Sequence, residues 1–240
     1  MKVRFWGVRG SIPSPGPHTA RYGGNTTCIE VRGDDGTLVI LDAGTGIFPL
    51  AQQLLRQLPV TANVFITHTH WDHIQGFPFF APLQVEGNEW HVYGPRGFGL
   101  SLRDTLAGQM QYSYFPLDLD QLRAKVRYHD LIEGRFAIGD VSVTARYLNH
   151  PALTLGYRFE ADGATFVYAT DHEPHAQALA IAPWGGTLGG EDRHHADFLA
   201  GADLVVHDAQ YLASEYPAKV GWGHSTIEYA VAVAHAAGVK

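Results

Sequence analysis

The sequence Thr67-His68-Thr69-His70-Trp71-Asp72-His73 places three imidazoles and one carboxylate within six residues. Imidazole nitrogens and carboxylate oxygens are the ligands that zinc and its first-row neighbours accept. In an extended chain His68 and His70 point to the same side, because side-chain direction repeats every two residues. A sharp turn after His70 would bring Asp72 and His73 to a second point nearby. The spacing therefore predicts two adjacent metals, one for each pair.

Four short apolar runs each lead to an acidic residue or a histidine. They are 38–41 before Asp42, 64–66 before His68, 166–169 before Asp171, and 204–206 before His207 and Asp208. Continuous apolar runs bounded by polar residues are typical of strands buried on both faces. If the four strands lie side by side in one sheet, their carboxyl ends form a single polar edge.

A fifth candidate strand, 141–148, alternates apolar and polar residues and runs into Asn149-His150-Pro151. Strict alternation predicts a half-buried strand. His150 is therefore expected to lie just past the end of a strand. The dipeptide Asp162-Gly163, between apolar residues, predicts a tight hairpin turn.

The order of these residues resembles the metallo-β-lactamase superfamily. The resemblance rests on the His-x-His-x-Asp-His run at 68–73, then the lone His150, then the lone Asp171 after a strand. Glycine-rich segments at 7–13, 21–26 and 41–46 are similar to one branch, the metal-dependent phosphodiesterases. That branch includes the phosphoribosyl cyclic phosphate phosphodiesterases and, more distantly, the tRNA 3′-processing ribonucleases. The similarity covers nearly the whole chain.

The resemblance implies an α/β (α+β) fold, a four-layer αββα sandwich of two mixed sheets that forms one domain over residues 1–240. It implies six metal ligands. One metal would be held by His68, His70 and His150, the other by Asp72 and His73, and Asp171 would bridge both. The implied cofactors are two divalent ions, zinc first, with manganese or iron as alternatives. The family's last strand, which carries one more histidine, has no matching position before Lys240. Either the chain is shortened, or the second metal is held by fewer protein ligands.

The resemblance also implies two catalytic residues. His224 lies in the segment Gly223-His224-Ser225-Thr226, which is similar to a family segment whose histidine assists proton transfer to the leaving group. Asp72, besides binding metal, would orient the attacking hydroxide. After His224, the pattern Ser225-Thr226-Ile227-Glu228 predicts a capping box with Ser225 as the N-cap of a helix over 229–237. Gly238 suits the end of that helix.

Other polar residues allow more than one interpretation. Asp42 would bond turn amides or a ligand histidine, or have a purely structural role. Arg9 and Arg21, in or beside a long loop at 10–25, would meet a phosphate or remain solvated. His207 and Asp208 lie at a strand end but match no family ligand. His172, His194 and His195 are expected to be peripheral, and 174–197 is expected to form a second long loop.

Composition limits the choice of substrate and location. The chain of 240 residues has a net charge of −7 and only 17 lysines and arginines, with no basic stripe. A protein that binds long nucleic acid usually shows such a stripe, so a small phosphoester substrate is expected instead. No segment reads as a signal peptide or a membrane span, which predicts a cytoplasmic protein. A homodimer stays open, and the single cysteine, Cys28, excludes an internal disulfide.

The sequence thus predicts a metal-dependent hydrolase that cleaves a small or cyclic phosphoester with a metal-bound hydroxide. Three alternatives remain open. The same ligand pattern serves thioester and β-lactam hydrolysis, where the target is a carbonyl. A mononuclear iron oxidoreductase would use His68, His70 and either Asp171 or His150. The chain could also be a non-catalytic member that binds a metal or a nucleotide.

Overall fold

A computed structural model describes residues 1–183 and 188–240. The chain consists of two compact units, residues 1–131 and residues 132–240. Each unit is built around one mixed β-sheet with helices on the sheet. Within the described ranges, no helix has the length and hydrophobicity needed to cross a bilayer.

The first unit contains a six-stranded sheet. Its strands in spatial order are β1 (Lys2–Gly7), β2 (Cys28–Arg32), β3 (Leu38–Leu41), β4 (Thr61–Phe65), β5 (Glu89–Pro95) and β6 (Lys125–Leu131). The first three strands are antiparallel, and β3 to β6 are parallel. The helices are α1 (Ile47–Leu54), α2 (Trp71–Ile74) and α3 (Leu102–Gln109). Apolar side chains of α1 and α3, such as Leu50 and Leu106, pack with Ile40, Val64 and Val92 of the sheet in one core.

The second unit contains a five-stranded sheet. Its strands are β7 (Gly134–Ile138), β8 (Val141–Tyr147), β9 (Leu155–Ala161), β10 (Ala164–Ala169) and β11 (Leu204–His207). The strands β7 to β10 form an antiparallel meander, and β11 pairs in parallel with β10 at the edge. The helices are α4 (Gln177–Ile181), α5 (Gly190–Leu199) and α6 (Ile227–Ala236). Phe198 and Leu199 of α5 and Tyr229 and Val233 of α6 pack with Val167 of β10.

Two mixed sheets with flanking helices confirm the predicted fold class. The four apolar strands do not share one sheet, because β3 pairs with β4 in the first unit and β10 with β11 in the second. An apolar run shows that a strand is buried but not which strand it pairs with, since parallel partners are joined by long crossovers. Within each parallel pair, the polar residues do follow the carboxyl ends.

Local predictions had mixed outcomes. The hairpin turn is confirmed at Asp162 and Gly163, which both have positive φ and join β9 to β10. Gly238 ends α6 at φ 65°, as predicted. The predicted capping box is wrong, because Thr226 is the N-cap of α6 and its side chain accepts from Tyr229 N. Ser225 and Glu228 instead bond outside the helix, to the His172 carbonyl and the Ala213 amide.

The long loop predicted at 174–197 is also wrong where it is described, because it contains α4 and the first part of α5. Its glycine-rich centre, at 184–187, lies outside the described residues. Helix α5 has a polar sequence, Gly-Glu-Asp-Arg-His-His, that hides its helical periodicity. The loop at 10–25 is confirmed, and it holds only a short 3-10 turn at Pro17–Thr19.

Candidate metal centre

In the first unit the predicted motif turns sharply after the strand, as the spacing required. His70 has extended backbone angles, φ −63° and ψ 151°, and is the N-cap of the short helix α2. The ring of His68 consequently has a neighbouring imidazole on two sides. Its centroid lies 4.5 Å from that of His70 and 4.1 Å from that of His73. The three imidazoles therefore converge at the carboxyl end of β4.

A buried aspartate fixes the ring of His73. Asp42, which follows β3 at φ 58°, accepts from His73 Nδ1 at 2.8 Å through Oδ2. Its Oδ1 accepts from the Thr67 amide at 2.8 Å. Because a carboxylate only accepts, Nδ1 of His73 carries the proton and Nε2 carries the lone pair. The interpretation of Asp42 as a residue that bonds turn amides and a site histidine is confirmed.

The Thr67 side chain fixes the ring of His68. The Thr67 hydroxyl donates to Asp42, with both carboxylate oxygens at 3.0 Å, so its oxygen accepts from His68 Nδ1 at 3.1 Å. Nδ1 of His68 therefore carries a proton as well, which makes Nε2 its lone-pair nitrogen. Thr67, His68 and Asp42 are all fully buried. One aspartate and one threonine thus set the tautomers of two histidines.

Asp72 is held from the loop that precedes β2. The Ser11 amide donates to Asp72 Oδ2 at 2.8 Å, and Ser11 has a left-handed backbone with φ 64°. Nonglycine residues in that region are uncommon and concentrate at functional sites. Oδ2 of Asp72 also lies 3.5 Å from His73 Nε2. Asp72 Oδ2 and His73 Nε2 therefore lie side by side.

Glycines allow the chain after β3 to approach α2. A Cβ on Gly44 would lie 2.3 Å from the Asp72 carbonyl oxygen, and a Cβ on Gly76 would lie 2.2 Å from the Gly44 carbonyl oxygen. Backbone hydrogen bonds close the contact, from Ala43 N to His73 O at 2.7 Å and from Gly76 N to Ala43 O at 2.8 Å. The segment 42–46 thereby holds α2 against the end of the sheet.

In the second unit His150 and Asp171 come together. Nδ1 of His150 donates to the Gly223 carbonyl at 2.9 Å, so the lone pair is again on Nε2. Nε2 lies 3.8 Å from Asp171 Oδ2. Asp171 has a left-handed backbone, φ 58°, like Asp42 at the equivalent end of β3. Both parallel strand pairs therefore end in a strained aspartate that turns its carboxylate toward a histidine.

His224 is paired with an acid that the sequence left ambiguous. Nδ1 of His224 lies 2.6 Å from Asp208 Oδ2. Asp208 follows β11, and β11 pairs with β10 so that His207 lies opposite Ala169. This register brings Asp208 level with the segment that carries Asp171. One ligand atom from each of Asp171, Asp208 and His224 falls within 4.8 Å of the others.

The sequence contained one signal for Asp208, its position at the carboxyl end of an apolar run. It contained none for two backbone groups that orient the site. Ser11 acts through its amide and Gly223 through its carbonyl, so neither side chain marks the role. Arg9 and Arg21 are exposed, and the Arg21 guanidinium lies over the Tyr22 ring. A contact of these arginines with phosphate stays a prediction.

A second histidine cluster lies elsewhere in this unit. His194 is exposed, but His172 and His195 are buried, and with His207 they form a group. Burial lowers the pKa of all three imidazoles. Neighbouring histidines lower the pKa of His172 and of His195 further. The rings of His172 and His195 stack 3.8 Å apart at 10°, and one nitrogen from each of the three histidines lies within 4.8 Å of the others. The lowered pKa values favour the neutral form of these buried rings.

The donor atoms of the 68–73 motif and of the His150–Asp171 pair fit a divalent metal. His68, His73 and His150 each give Nδ1–H to an oxygen acceptor and keep the lone pair on Nε2. Ligand histidines almost always donate their second nitrogen to a carboxylate, a carbonyl or a similar oxygen, which fixes the tautomer that binds metal. Asp72 and Asp171 add carboxylate oxygens. Nitrogen and oxygen donors of this kind suit zinc, iron or manganese.

Comparisons with known proteins identify related sequences and structures. The family model described as "Beta-lactamase superfamily domain" matches residues 37–240. Ribonuclease BN from Cronobacter sakazakii is 27% identical and covers 100% of this chain and 86% of its own length. Ribonuclease Z from Exiguobacterium sibiricum is 30% identical and covers 75% of this chain and 68% of its own length.

Solved structures extend the likeness over the whole chain. The human tRNase Z, short form, gives a TM-score of 0.68 at 20% identity and covers 100% of this chain and 90% of its own. A diphosphatase from the PhnP family gives a TM-score of 0.64 at 20% identity and covers 99% of this chain and 83% of its own. At these identities the structures establish the fold.

Proposed function

This chain belongs to the metallo-β-lactamase superfamily, and from that membership we propose that it is a metal-dependent hydrolase that cleaves a small or cyclic phosphodiester. One observation carries the proposal. His68 and His73 of the HxHxDH motif, and His150, are held by buried or backbone acceptors with the lone pair on Nε2. Orientation of this kind is what ligand histidines show in metal sites.

We propose that two divalent ions bind to the histidines and aspartates that the resemblance implies. The residues are those that the sequence predicts: His68, His70 and His150 for one ion, Asp72 and His73 for the other, and Asp171 for both. When bound, two divalent ions lower the pKa of water to about 7 and neutralise the charge of a phosphoryl group. Zinc is the proposed metal, and manganese and iron fit the same donors.

The protein's own residues would then manage a proton. Asp208 holds His224 with the proton on Nδ1, and a second proton on Nε2 would make His224 an acid for the leaving oxygen. The carboxylate would stabilise the imidazolium form before that transfer. Asp72, held by the Ser11 amide, would keep its free oxygen directed at the attacking water. These residues therefore support a reaction in which one group directs the attacking water and another protonates the leaving oxygen.

Two substrate classes are candidates, a small phosphoester and RNA. The curated relatives are named ribonuclease Z and ribonuclease BN, which favours RNA as a second candidate substrate. The net charge of −7, with 17 basic residues, weighs against a tight grip on long RNA, because phosphate contacts come mostly from lysine and arginine. We therefore propose a small or cyclic phosphoester first. The predicted cytoplasmic location and homodimer stay predictions, as does a single domain over 1–240.

The test is hydrolysis of bis(p-nitrophenyl) phosphate by the protein as purified, after chelation, and after zinc or manganese is restored. The variant His70→Ala should abolish turnover and lower the bound metal, and it should still fold because His70 is exposed. Undiminished turnover in that variant would place the site elsewhere. A panel of cyclic nucleotides, cyclic ribose phosphates, short RNA, a thioester and a β-lactam then separates the phosphodiesterase from a carbonyl hydrolase. Iron content with redox activity would instead indicate the oxidoreductase alternative.

A further inference from the structure

Glu173 is a buried acid two residues after Asp171 that no metal or catalytic role claims. Its carboxylate accepts three hydrogen bonds. Oε1 accepts from the Tyr216 hydroxyl at 2.6 Å and from the Gly221 amide at 2.8 Å, and Oε2 accepts from the Gly223 amide at 2.8 Å. All three donors belong to the segment 216–223. Glu173 therefore fastens this segment to the end of β10.

The fastened segment leads directly to two residues of the candidate site. The Gly223 carbonyl accepts from His150 Nδ1 at 2.9 Å. The next residue, His224, is bonded to Asp208 at 2.6 Å. The rings of His150 and His224 lie 5.4 Å apart, centroid to centroid. A shift of Gly223 would therefore reach a proposed metal ligand and a proposed acid together.

The contact between Gly223 and His150 is too close for any other residue. Gly223 has φ 82°, and a Cβ there would lie 2.2 Å from His150 Nδ1 and 2.3 Å from Pro151 Cδ. The imidazole thus packs directly on the Gly223 backbone. Because Gly223 has no side chain between its backbone and the imidazole, the position of the Gly223 backbone sets the position of the His150 ring.

We propose that Glu173 is a positioning residue that fixes the tautomer and orientation of His150 through Gly223, and so sets the affinity of the centre for its metal. The proposal rests on the proposed function, since it needs His150 to be a ligand. Without the carboxylate, the amides of Gly221 and Gly223 turn to water and the Gly223 carbonyl leaves His150. The ring then also populates the tautomer with the proton on Nε2, which leaves no lone pair on that nitrogen for a metal.

The chain offers a matched control for this carboxylate. Asp192 is also buried in the same unit, and it accepts from the Tyr229 hydroxyl at 2.8 Å and from the amides of His175 and Ala176 at 3.0 and 2.8 Å. Like Glu173, it binds one tyrosine and two backbone amides, but none of its donors lies in 216–224. Glu173→Gln and Asp192→Asn should therefore cost similar stability. Only one of them should act on the metal.

The experiment measures metal affinity by competition with a chromogenic chelator, using zinc and the full chain. Glu173→Gln should weaken zinc binding about 10–100-fold, the usual effect of removing a group that orients a ligand. Asp192→Asn should leave it unchanged. Equal affinities for the two variants, in proteins that both fold, would overturn the proposal. Should Glu173→Gln not fold, Tyr216→Phe removes only one of the three bonds and should give a smaller weakening in the same direction.

A second readout separates positioning from general destabilisation. In the metal-free protein, the ring ¹⁵N shifts of His150 report which nitrogen carries the proton. The wild type should show the Nδ1–H form, and Glu173→Gln a mixture, with Asp192→Asn like the wild type. An unchanged His150 tautomer in Glu173→Gln would contradict the proposal. If instead the wild type neither binds zinc nor hydrolyses phosphoesters, the proposed function fails, and the tautomer result still judges the role of Glu173.

Discussion

Nδ1 of His224 lies 2.6 Å from Oδ2 of Asp208, and the carboxylate is almost wholly buried. The same oxygen accepts from the His172 amide at 3.2 Å, and Oδ1 accepts from the Gln210 amide at 3.0 Å. These amides hold the carboxylate still while it orients the imidazole. The pair is the arrangement expected of a general acid whose protonated form is stabilised by a neighbouring charge.

Asp208→Asn should therefore impair proton donation. An amide cannot stabilise the imidazolium, so kcat should fall by about 10²–10⁴-fold for a phosphodiester with an alkoxide leaving group. The loss should be small for bis(p-nitrophenyl) phosphate, because p-nitrophenolate leaves without a proton. Steady-state kinetics with both substrates gives the comparison.

The control for that experiment is the metal content of Asp208→Asn, which should match the wild type if Asp208 acts only through His224. Equal losses of kcat on the two substrates would argue against an acid role for His224. A fall in bound metal would make Asp208 a ligand instead.

The motif at 68–73 could be predicted from sequence because its chemistry is local. Ligand types, strand end and turn all lie within seven residues, and the structure brings them together as expected. The groups that set its tautomers are distant in sequence. Asp42 and His73 are 31 residues apart, and only the parallel pairing of β3 with β4 joins them. Pairing depends on tertiary packing, which single-sequence periodicity does not report.

Backbone groups explain the rest of what the sequence concealed. Gly223 orients His150 with a carbonyl and Ser11 holds Asp72 with an amide, and every residue carries those groups. The wrong N-cap at Ser225 has a similar cause. Serine and threonine are both favourable N-cap residues. The Ser225 hydroxyl instead bonds to the His172 carbonyl, so Thr226 is the N-cap. Local preference left two solutions, and the fold selected one.

Asp42→Asn should weaken metal binding without touching a proposed ligand. One half of the amide would donate where the carboxylate accepted, so it opposes either the Thr67 amide or His73 Nδ1. His73 then loses the bond that fixes its tautomer, and affinity should fall about 10–100-fold. Competition with a chelator measures the change.

Asp130→Asn is the control, since Asp130 is an exposed acid of the same unit that accepts the Leu102 amide at the start of α3. It should leave the metal affinity at the wild-type value. Equal affinities for the wild type and Asp42→Asn would show that Asp42 has a structural role alone.

Gly44→Ala should disrupt the placement of α2. The new methyl would lie 2.3 Å from the Asp72 carbonyl and 2.5 Å from Thr26 Oγ1, so the backbone must shift. Overpacking of this kind typically costs about 1–3 kcal/mol. We expect a lower midpoint of denaturant unfolding together with reduced metal content. Gly108→Ala, in α3 with no atom within 4 Å of the added Cβ, is the control and should be neutral or stabilising.

The buried histidines predict that acid destabilises the second unit. Burial lowers the pKa of His195 and His207 in the folded chain, so the unfolded chain takes up protons first as the pH falls. Their contribution to stability is fully present above the unfolded pKa of about 6.5 and is lost as the pH falls from there toward the folded values. Each such histidine adds a slope of up to ~1.4 kcal/mol per pH unit in that window.

Denaturant unfolding between pH 7.5 and 5 measures this slope, and His195→Gln should reduce it. Glutamine can still donate to His207 Nε2, which His195 Nε2 contacts at 2.9 Å, but it cannot take up a proton. His194→Gln is the control, because His194 is the next residue on α5 and is exposed. Both variants keep the same metal ligands, so acid release of metal affects them equally. Identical slopes in the two variants would mean that the stacked imidazoles do not resist protonation, and that the acid sensitivity arises from other groups.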